Sequence, residues 1–153
     1  SEISKAAELF SRAKTLVGFS INRYDVPVLN VYFQRLSRGE KINLWQKERI
    51  DLLEEIEVRA NQRISLSKVA QANLGISKDR HGSEAIALFK DGKIEELKEY
   101  CLNDVKLTKD LYDLYIEKRQ LLIPNKRSGE MMIVRFDNEM KSDKPKTQYA
   151  SLF

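Results

Sequence analysis

The chain has 153 residues, 42% of them hydrophobic and 33% charged, and a formal net charge of +4 at pH 7. This balance is typical of a soluble globular domain with one core and excludes a disordered or fibrous chain. No stretch of about 18 uncharged apolar residues occurs, so we expect no membrane partner. Residues 1–14 are amphipathic, contain acids and do not read as a signal peptide. Cys101 is the only cysteine, which rules out an intramolecular disulfide and favours a cytoplasmic location, at the nucleoid in a bacterium.

The first half of the chain predicts one strand among several helices. Apolar spacing predicts a helix over residues 3–13, and the run Thr-Leu-Val-Gly-Phe predicts a fully buried strand over 15–19. Asp25 then begins a helix, with the acid as its cap and Pro27 in the first turn, that ends near Gly39. Three further helices are predicted over residues 51–60, from Ser65 or Ser67 to Gly75, and over 83–89.

The second half predicts one long helix and a β-hairpin. The helix runs over residues 94–118, with an apolar face formed by Ile94, Leu97, Cys101, Val105 and Thr108. Residues 120–124 and 130–136 flank a turn and predict the hairpin. Such a hairpin is a poor source of sheet neighbours for a fully buried strand, so we expect further strands before residue 1. We therefore expect a domain over residues 1–136, partial at its N-terminus, and a flexible tail over 137–153.

Several polar clusters have ordinary structural explanations. The acids Glu48, Asp51, Glu54, Glu55 and Glu57 predict a helix start with a solvated face, for which Asp51 as a cap is sufficient. His81 is predicted to lie in a surface loop and Trp45 in the core. The basic residues that follow the longest helix are weak evidence for phosphate contact; they are Lys118, Arg119, Lys126, Arg127 and Arg135.

Three residues are candidates for catalysis. Tyr100 and Asp104 are four residues apart and share a helix face with a stripe of leucines. A carboxylate in such a stripe is costly to bury unless it is paired or metal-bound, although Asp104 at the edge of the stripe could reach water or a lysine. Asp25 follows a core strand and opens a helix, where it is either a helix cap or a metal-associated carboxylate. Position alone favours the structural alternative for both acids.

The two stretches taken together resemble a known nuclease family. Residues 16–29, Leu-Val-Gly-Phe-Ser-Ile-Asn-Arg-Tyr-Asp-Val-Pro-Val-Leu, resemble the second motif of the DEDD superfamily of ribonuclease-H-like 3′–5′ exonucleases. Residues 99–105, Glu-Tyr-Cys-Leu-Asn-Asp-Val, resemble its third motif in the tyrosine form. The similarity covers residues 3–124 and is greatest to stand-alone and helicase-associated members, which are similar to the proofreading domain of family B polymerases. It implies an α/β, ribonuclease-H-like fold.

The resemblance also implies a mechanism. Members of the family hydrolyse phosphodiesters with two divalent ions, Mg²⁺ or Mn²⁺, held by four carboxylates. By this resemblance Asp104 binds one ion directly, Asp25 supports the second, and Tyr100 orients the attacking water. The resemblance also implies that Ser20, Asn22 and Tyr24 contact the substrate, although Ser20 stands where close relatives carry the motif's Asn. The expected substrate is a nucleic-acid 3′ end, with DNA favoured over RNA, and a helicase or polymerase is a candidate partner.

The first motif of the family, Asp-x-Glu, has no match before Asp25. Glu2 and Glu8 lie in a helical context, and neither has an Asp two residues before it. We expect the chain to be part of a longer protein that supplies the motif, and to have little or no nuclease activity alone. The alternative is a non-catalytic nucleic-acid-binding or scaffold domain that kept the fold and lost the site. An unrelated helical interaction domain would require both motif matches to be accidental.

The last six residues form a separate candidate site. Gln148, Leu152 and Phe153 follow a lysine-rich stretch in the pattern Gln-x-x-Ser-Leu-Phe. This pattern resembles the peptides by which replication and repair proteins bind a sliding clamp, where two apolar anchors fill a pocket. The alternative is that these residues pack back on the domain. We expect residues 148–153 to bind a sliding clamp with modest affinity.

Overall fold

The computed structural model describes residues 1–37, 41–76 and 82–136. These residues form six α-helices, one short 3₁₀ helix and four strands, and they divide into two compact units, residues 1–55 and residues 56–136. The mixture of helices with two small sheets agrees with the predicted α/β class. Within the described ranges, no helix is both long enough and apolar enough to cross a membrane.

The first unit is built around a parallel strand pair. Its elements are α1 (Glu2–Arg12), β1 (Thr15–Gly18), α2 (Asp25–Gln34), the 3₁₀ helix Leu44–Gln46, β2 (Glu48–Asp51) and the start of α3 (Leu52–Ala60). β1 and β2 pair in parallel with Thr15 opposite Glu48 and Gly18 opposite Asp51. Parallel neighbours require a crossover connection, which α2 supplies. The carboxyl ends of both strands therefore lie at one edge of this sheet.

A small apolar core holds the first unit together. Ala7, Val26, Phe33 and Leu44 are buried in one cluster, and the rings of Phe10 and Phe33 lie 5.5 Å apart. The Nζ of Lys47 donates to the carbonyls of Ser11 (2.7 Å) and Ala13 (2.8 Å), which satisfies acceptors left open at the end of α1. These contacts fix α1 and the strand that follows it against α2.

The second unit contains the remaining elements. They are the rest of α3, α4 (Leu66–Leu74), α5 (Gly82–Lys90), α6 (Ile94–Lys118), β3 (Gln120–Pro124) and β4 (Met131–Arg135). β3 and β4 form the predicted antiparallel hairpin, with Gln120 opposite Arg135. Ser65 caps α4, which confirms the first of the two predicted helix starts, Ser65 and Ser67. Gly75 ends the helix with φ +67°.

The structure corrects four of the expectations for individual elements. β1 is not fully buried, because it pairs with one strand among the described residues and Val17 is 37% exposed. α2 ends at Gln34 rather than near Gly39. The stretch predicted as helix over 51–60 is preceded by a strand, β2, whose last residue is Asp51. The fourth correction concerns α6, whose bounds are as predicted but whose buried face is not.

The buried face of α6 is the one that carries Tyr100. Tyr100, Leu107, Leu111 and Tyr115 are buried, whereas the face predicted from Ile94 to Thr108 is largely exposed. Val105 is 66% exposed and Cys101 is also exposed, so Cys101 does not face the core as expected. Both rows have apolar residues at helical spacing, and the packing of α4, α5 and β3 against α6 covers the Tyr100 row.

Candidate active site

Asp25 lies beyond the carboxyl end of β1, at the first residue of α2. The helix cap is Tyr24, whose side chain makes no capping hydrogen bond, so the prediction that Asp25 is the cap was wrong by one position. The reason is that the loop already turns before Asp25: the Val26 amide donates to the Ile21 carbonyl at 2.9 Å and the Val28 amide to the Tyr24 carbonyl at 3.4 Å. The carboxylate is thereby presented at the edge of the sheet where ligands of α/β proteins bind.

The electrostatic setting of Asp25 disfavours its negative charge. The side chain reaches the surface, yet neighbouring atoms crowd the carboxyl, and this desolvation raises its pKa above the ordinary value. A hydrogen bond from its own backbone amide lowers the pKa, and the negative charge of Asp51 raises it further. A carboxylate near a second negative charge is stabilised in its ionised form by a cation.

The loop between β1 and α2 is tied to β2 by a buried carboxylate. Asp51 is 3% exposed and accepts hydrogen bonds from the backbone amides of Ser20 (2.7 Å) and Asn22 (3.1 Å). It also accepts from the amides of Leu53 (3.1 Å) and Glu54 (3.4 Å), so it caps α3 as predicted. The predicted solvated face does not hold for Asp51, because it ends a strand opposite Gly18 instead of starting an exposed helix.

Asn22 is held by side chains on both sides. Its Nδ2 donates to Oε2 of Glu54 and its Oδ1 accepts from Nε of Arg49, each at 2.8 Å. Arg49 is 4% exposed, lies 5.2 Å from the centre of the Trp45 ring, and donates from one terminal nitrogen to three carbonyls of residues 44, 45 and 47. Trp45, predicted to lie in the core, is half-buried under this guanidinium.

Ser20 adopts a conformation that L-residues rarely take. Its φ is +67°, and its side chain is 7% exposed with an Oγ that finds no hydrogen-bond partner among the described residues. Left-handed backbone in a residue other than glycine persists only where surrounding contacts impose it. The amide of Ser20, bound to Asp51, is one such contact.

Tyr100 and Asp104 occupy adjacent turns of α6 in the second unit. Tyr100 is 7% exposed and Asp104 is half-buried on the same side of the helix, with Leu107 and Leu111 continuing the row. The Thr108 hydroxyl donates to the Asp104 carbonyl at 2.8 Å. The predicted sharing of one face by the tyrosine, the acid and the leucines is confirmed. The catalytic roles of Asp25, Tyr100 and Asp104 and the substrate-binding roles of Ser20, Asn22 and Tyr24 stay predictions.

A divalent cation requires several oxygen donors that converge on one point. Among the residues that the structure describes, no group of three or more His, Cys, Asp or Glu side chains is arranged to hold a metal ion. The chemistry of Asp25 nevertheless fits Mg²⁺ or Mn²⁺, since its carboxylate is a hard oxygen donor of the kind that these ions prefer. Metal binding at Asp25 stays a prediction.

A cleft of about 570 Å³ borders Asp25. It is lined mainly by apolar side chains of α1, β1 and α2, among them Leu9, Leu16 and Leu29, and Asp25 is the one carboxylate in the described lining. Tyr24, beside Asp25, is 59% exposed. An acid at the edge of an apolar cleft beside an exposed aromatic ring is compatible with a nucleotide substrate.

The basic residues near the hairpin divide into two groups. Arg119 and Arg135 lie at its base, where the Phe136 amide donates to the Arg119 carbonyl at 2.9 Å, while Lys126 and Arg127 lie at its turn. Arg59 and Arg119 stack on the rings of Phe136 (4.9 Å) and Tyr115 (5.8 Å). The base of the hairpin thus presents a group of exposed cations, Arg59, Lys118, Arg119 and Arg135.

Some predicted residues lie outside the described ranges. They are His81 and the predicted tail over residues 137–153, which includes Gln148, Leu152 and Phe153. The loop position of His81, the flexible tail and the sliding-clamp peptide stay predictions.

Comparison with known proteins places the chain beside a protein family. A family model described as the RNase H superfamily matches residues 1–116, a span that includes Asp25, Asp51, Tyr100 and Asp104. No curated protein and no solved structure matches the chain. The match agrees with the superfamily that the two motifs predicted, while the tyrosine-form exonuclease subtype stays a prediction.

Proposed function

The chain belongs to the RNase H superfamily, and on that basis we propose that it is a metal-dependent 3′–5′ exonuclease domain acting on nucleic acid, with DNA favoured. Membership supports a nuclease-type hydrolase, and members of the superfamily typically use divalent metals. The observation that carries the finer proposal is the placement of Asp25 beyond the carboxyl end of a parallel strand, at the start of a helix.

Each catalytic residue has a distinct task in this proposal. Asp25 and Asp104 would hold divalent cations through their carboxylate oxygens. A bound divalent cation supplies Lewis-acid stabilisation of the phosphodiester and lowers the pKa of a bound water. Tyr100, buried one turn before Asp104, would orient the attacking water through its hydroxyl. Tyr24 would stack on the terminal base, because its ring is exposed beside Asp25.

The cations at the base of the hairpin would contact the phosphate backbone. The guanidinium groups of Arg59 and Arg119 are held over aromatic rings, which orients them at little entropic cost. Phosphate contacts give affinity without sequence preference and weaken as salt rises. This arrangement suits an enzyme that degrades strands of any sequence.

Metal binding is the first test of the proposal. Isothermal titration with Mn²⁺ should show binding that Asp25→Asn and Asp104→Asn each weaken at least tenfold. Asp113→Asn is a matched control, because Asp113 lies on the same helix but is exposed and paired with Lys109. Equal affinity in all four proteins would exclude these carboxylates as ligands.

Cleavage is the second test, using the longest reading frame that encodes these residues. A 5′-labelled single strand should be shortened from its 3′ end with Mg²⁺ or Mn²⁺, and Asp104→Asn should abolish the product ladder while Asp113→Asn retains it. The 153 residues alone, which lack an Asp-x-Glu pair before Asp25, should show little or no cleavage. Turnover that survives Asp104→Asn would show that the site lies elsewhere.

A non-catalytic nucleic-acid-binding domain is the second candidate. The observation that favours it is the group of exposed cations at the base of the hairpin, which would contact phosphates without a metal ion. In that case the longest reading frame would bind single strands without cleaving them, and binding would be unchanged by chelators and by Asp25→Asn.

A further inference from the structure

The conformation of the loop over residues 19–24 depends on contacts from outside the loop. Ser20 has a left-handed φ, and loops of this length have few internal hydrogen bonds to impose it. One backbone hydrogen bond among the described contacts closes within the loop, from the Arg23 amide to the Ser20 carbonyl at 3.3 Å. The loop is also held from outside: the Val26 amide of α2 donates to the Ile21 carbonyl, and Ser20 and Asn22 are bonded to residues of β2 and α3.

Asp51 is the residue that joins these elements. Its Oδ1 accepts from the amides of Ser20, Leu53 and Glu54, and its Oδ2 accepts from the amide of Asn22. One carboxylate thus holds the loop after β1 and the first turn of α3 at the same point. Four N–H donors compensate the desolvation of a carboxylate that is 3% exposed.

The same contacts distinguish Asp51 from a metal ligand. Both of its oxygens are already used by backbone donors, and the side chain is buried. Glu54 and Arg49, its neighbours on α3 and β2, reinforce the hold through the Asn22 side chain. All of these contacts act on the backbone that leads directly into Asp25.

We propose that Asp51 is a positioning residue for the nuclease reaction: it fixes the loop over residues 19–24 and thereby the location of the Asp25 carboxylate, without contacting ion or substrate. This inference rests on the proposed function. It adds to the carboxylates of the proposed site one that lies outside the ion-binding and substrate-binding sets. Neither motif match contains Asp51, since it lies between them on a strand that pairs with β1.

The test is the isosteric variant Asp51→Asn. An amide offers one acceptor oxygen and turns its NH₂ group toward backbone donors, so the loop should lose part of its anchorage. Hydrogen exchange of the Ser20 and Asn22 amides should accelerate at least tenfold. In the longest reading frame kcat should fall about 10- to 100-fold, with KM for a single strand within twofold of the unmodified protein.

A control separates positioning from general destabilisation. Asn73 is a comparable tether in the second unit, where Nδ2 donates to the Leu122 carbonyl (2.7 Å) and Oδ1 accepts from the Leu122 amide (2.8 Å). Asn73→Ser should lower the melting temperature while leaving kcat and the exchange of residues 19–24 unchanged. If Asp51→Asn does not fold, Asp51→Glu keeps the charge but moves the oxygens, and should show the same exchange and kcat effects.

The outcomes are distinguishable. If the unmodified longest reading frame neither binds Mn²⁺ nor cleaves a single strand, the proposed function is refuted, and with it any catalytic consequence of Asp51. A cleaving protein in which Asp51→Asn matches Asn73→Ser in kcat, or leaves the exchange of Ser20 and Asn22 unaltered, overturns the positioning role alone. Accelerated exchange together with a fall in kcat at constant KM supports it.

Discussion

Replacement of Gly18 by alanine should destabilise the first unit through one identifiable clash. A Cβ built on Gly18 would lie 1.9 Å from Cγ2 of Ile21, and 3.1 Å and 3.3 Å from its Cβ and Cδ1. Ile21 is β-branched and stiff at χ1, so it cannot swing aside without leaving its rotamer. Gly18 lacks the positive φ that Gly75, Gly92 and Gly129 have, so the cost is steric and not conformational.

The magnitude follows from overpacking. An added methyl group in a tight site costs about 1–3 kcal/mol, because side chains leave their rotamers or the backbone shifts. Removing the Ile21 side chain beyond Cβ deletes the nearest contact. In an Ile21→Ala background, Gly18→Ala should therefore cost less than about 1 kcal/mol, which gives a coupling energy of about 1 kcal/mol or more in a double-mutant cycle.

The assay is urea unfolding of the four proteins, followed by far-UV circular dichroism and by fluorescence of Trp45, the only tryptophan. Midpoints should move while the slope stays constant. Gly129→Ala is the control, since its Cβ meets nothing within 4 Å and its φ of +74° makes the cost independent of Ile21. An equal cost of Gly18→Ala in both backgrounds would refute the clash.

Two further predictions concern single polar groups. The pKa of the Asp25 carboxyl is higher in the folded state than in the unfolded state. The folded state therefore loses stability as the pH rises from the unfolded-state pKa through the folded-state pKa. Asp25→Asn should therefore raise the melting temperature at pH 7 in the presence of EDTA, and the gain should vanish below about pH 3.5; a lower melting temperature at pH 7 would contradict this. The Tyr115 hydroxyl is buried with no hydrogen-bond partner among the described residues, so Tyr115→Phe should be neutral or stabilising by up to about 1 kcal/mol in urea unfolding. A loss above about 1 kcal/mol would show that the hydroxyl has a partner.

Regular periodicity made the second unit predictable from sequence. The bounds of α6 agree because Gly92 interrupts the chain before Ile94 and the apolar row continues to the hairpin. The buried side of α6 was not predictable in the same way. Ile94, Cys101 and Val105 form one apolar row and Tyr100, Leu107 and Leu111 another, and only tertiary packing decides which is covered.

The strand β2 shows why the site was only partly predictable. Its sequence is Glu-Arg-Ile-Asp, and the two buried residues are the charged Arg49 and Asp51, while Ile50 is only half-buried. Pattern-based prediction assigns buried positions to apolar residues, so this strand looked like an acidic helix start. The signal that could have identified it is a charged pair at alternate positions, which is stable in a core only when backbone donors and acceptors satisfy it.

The opposite environments of the two acids at this sheet edge explain their different proposed tasks. Asp51 ends β2 in a buried position and is compensated by four backbone N–H groups. Asp25 begins α2 at the surface, where burial and the charge of Asp51 together outweigh its own backbone hydrogen bond and raise its pKa. A carboxylate whose charge is already compensated gains little from a cation, whereas one that the protein leaves uncompensated gains much. Asp51 therefore acts on Asp25 in two ways: its hydrogen bonds shape the loop, and its negative charge increases the preference of Asp25 for a divalent ion. Neutralising Asp51 should weaken Mn²⁺ binding at Asp25 even if the loop were to keep its shape.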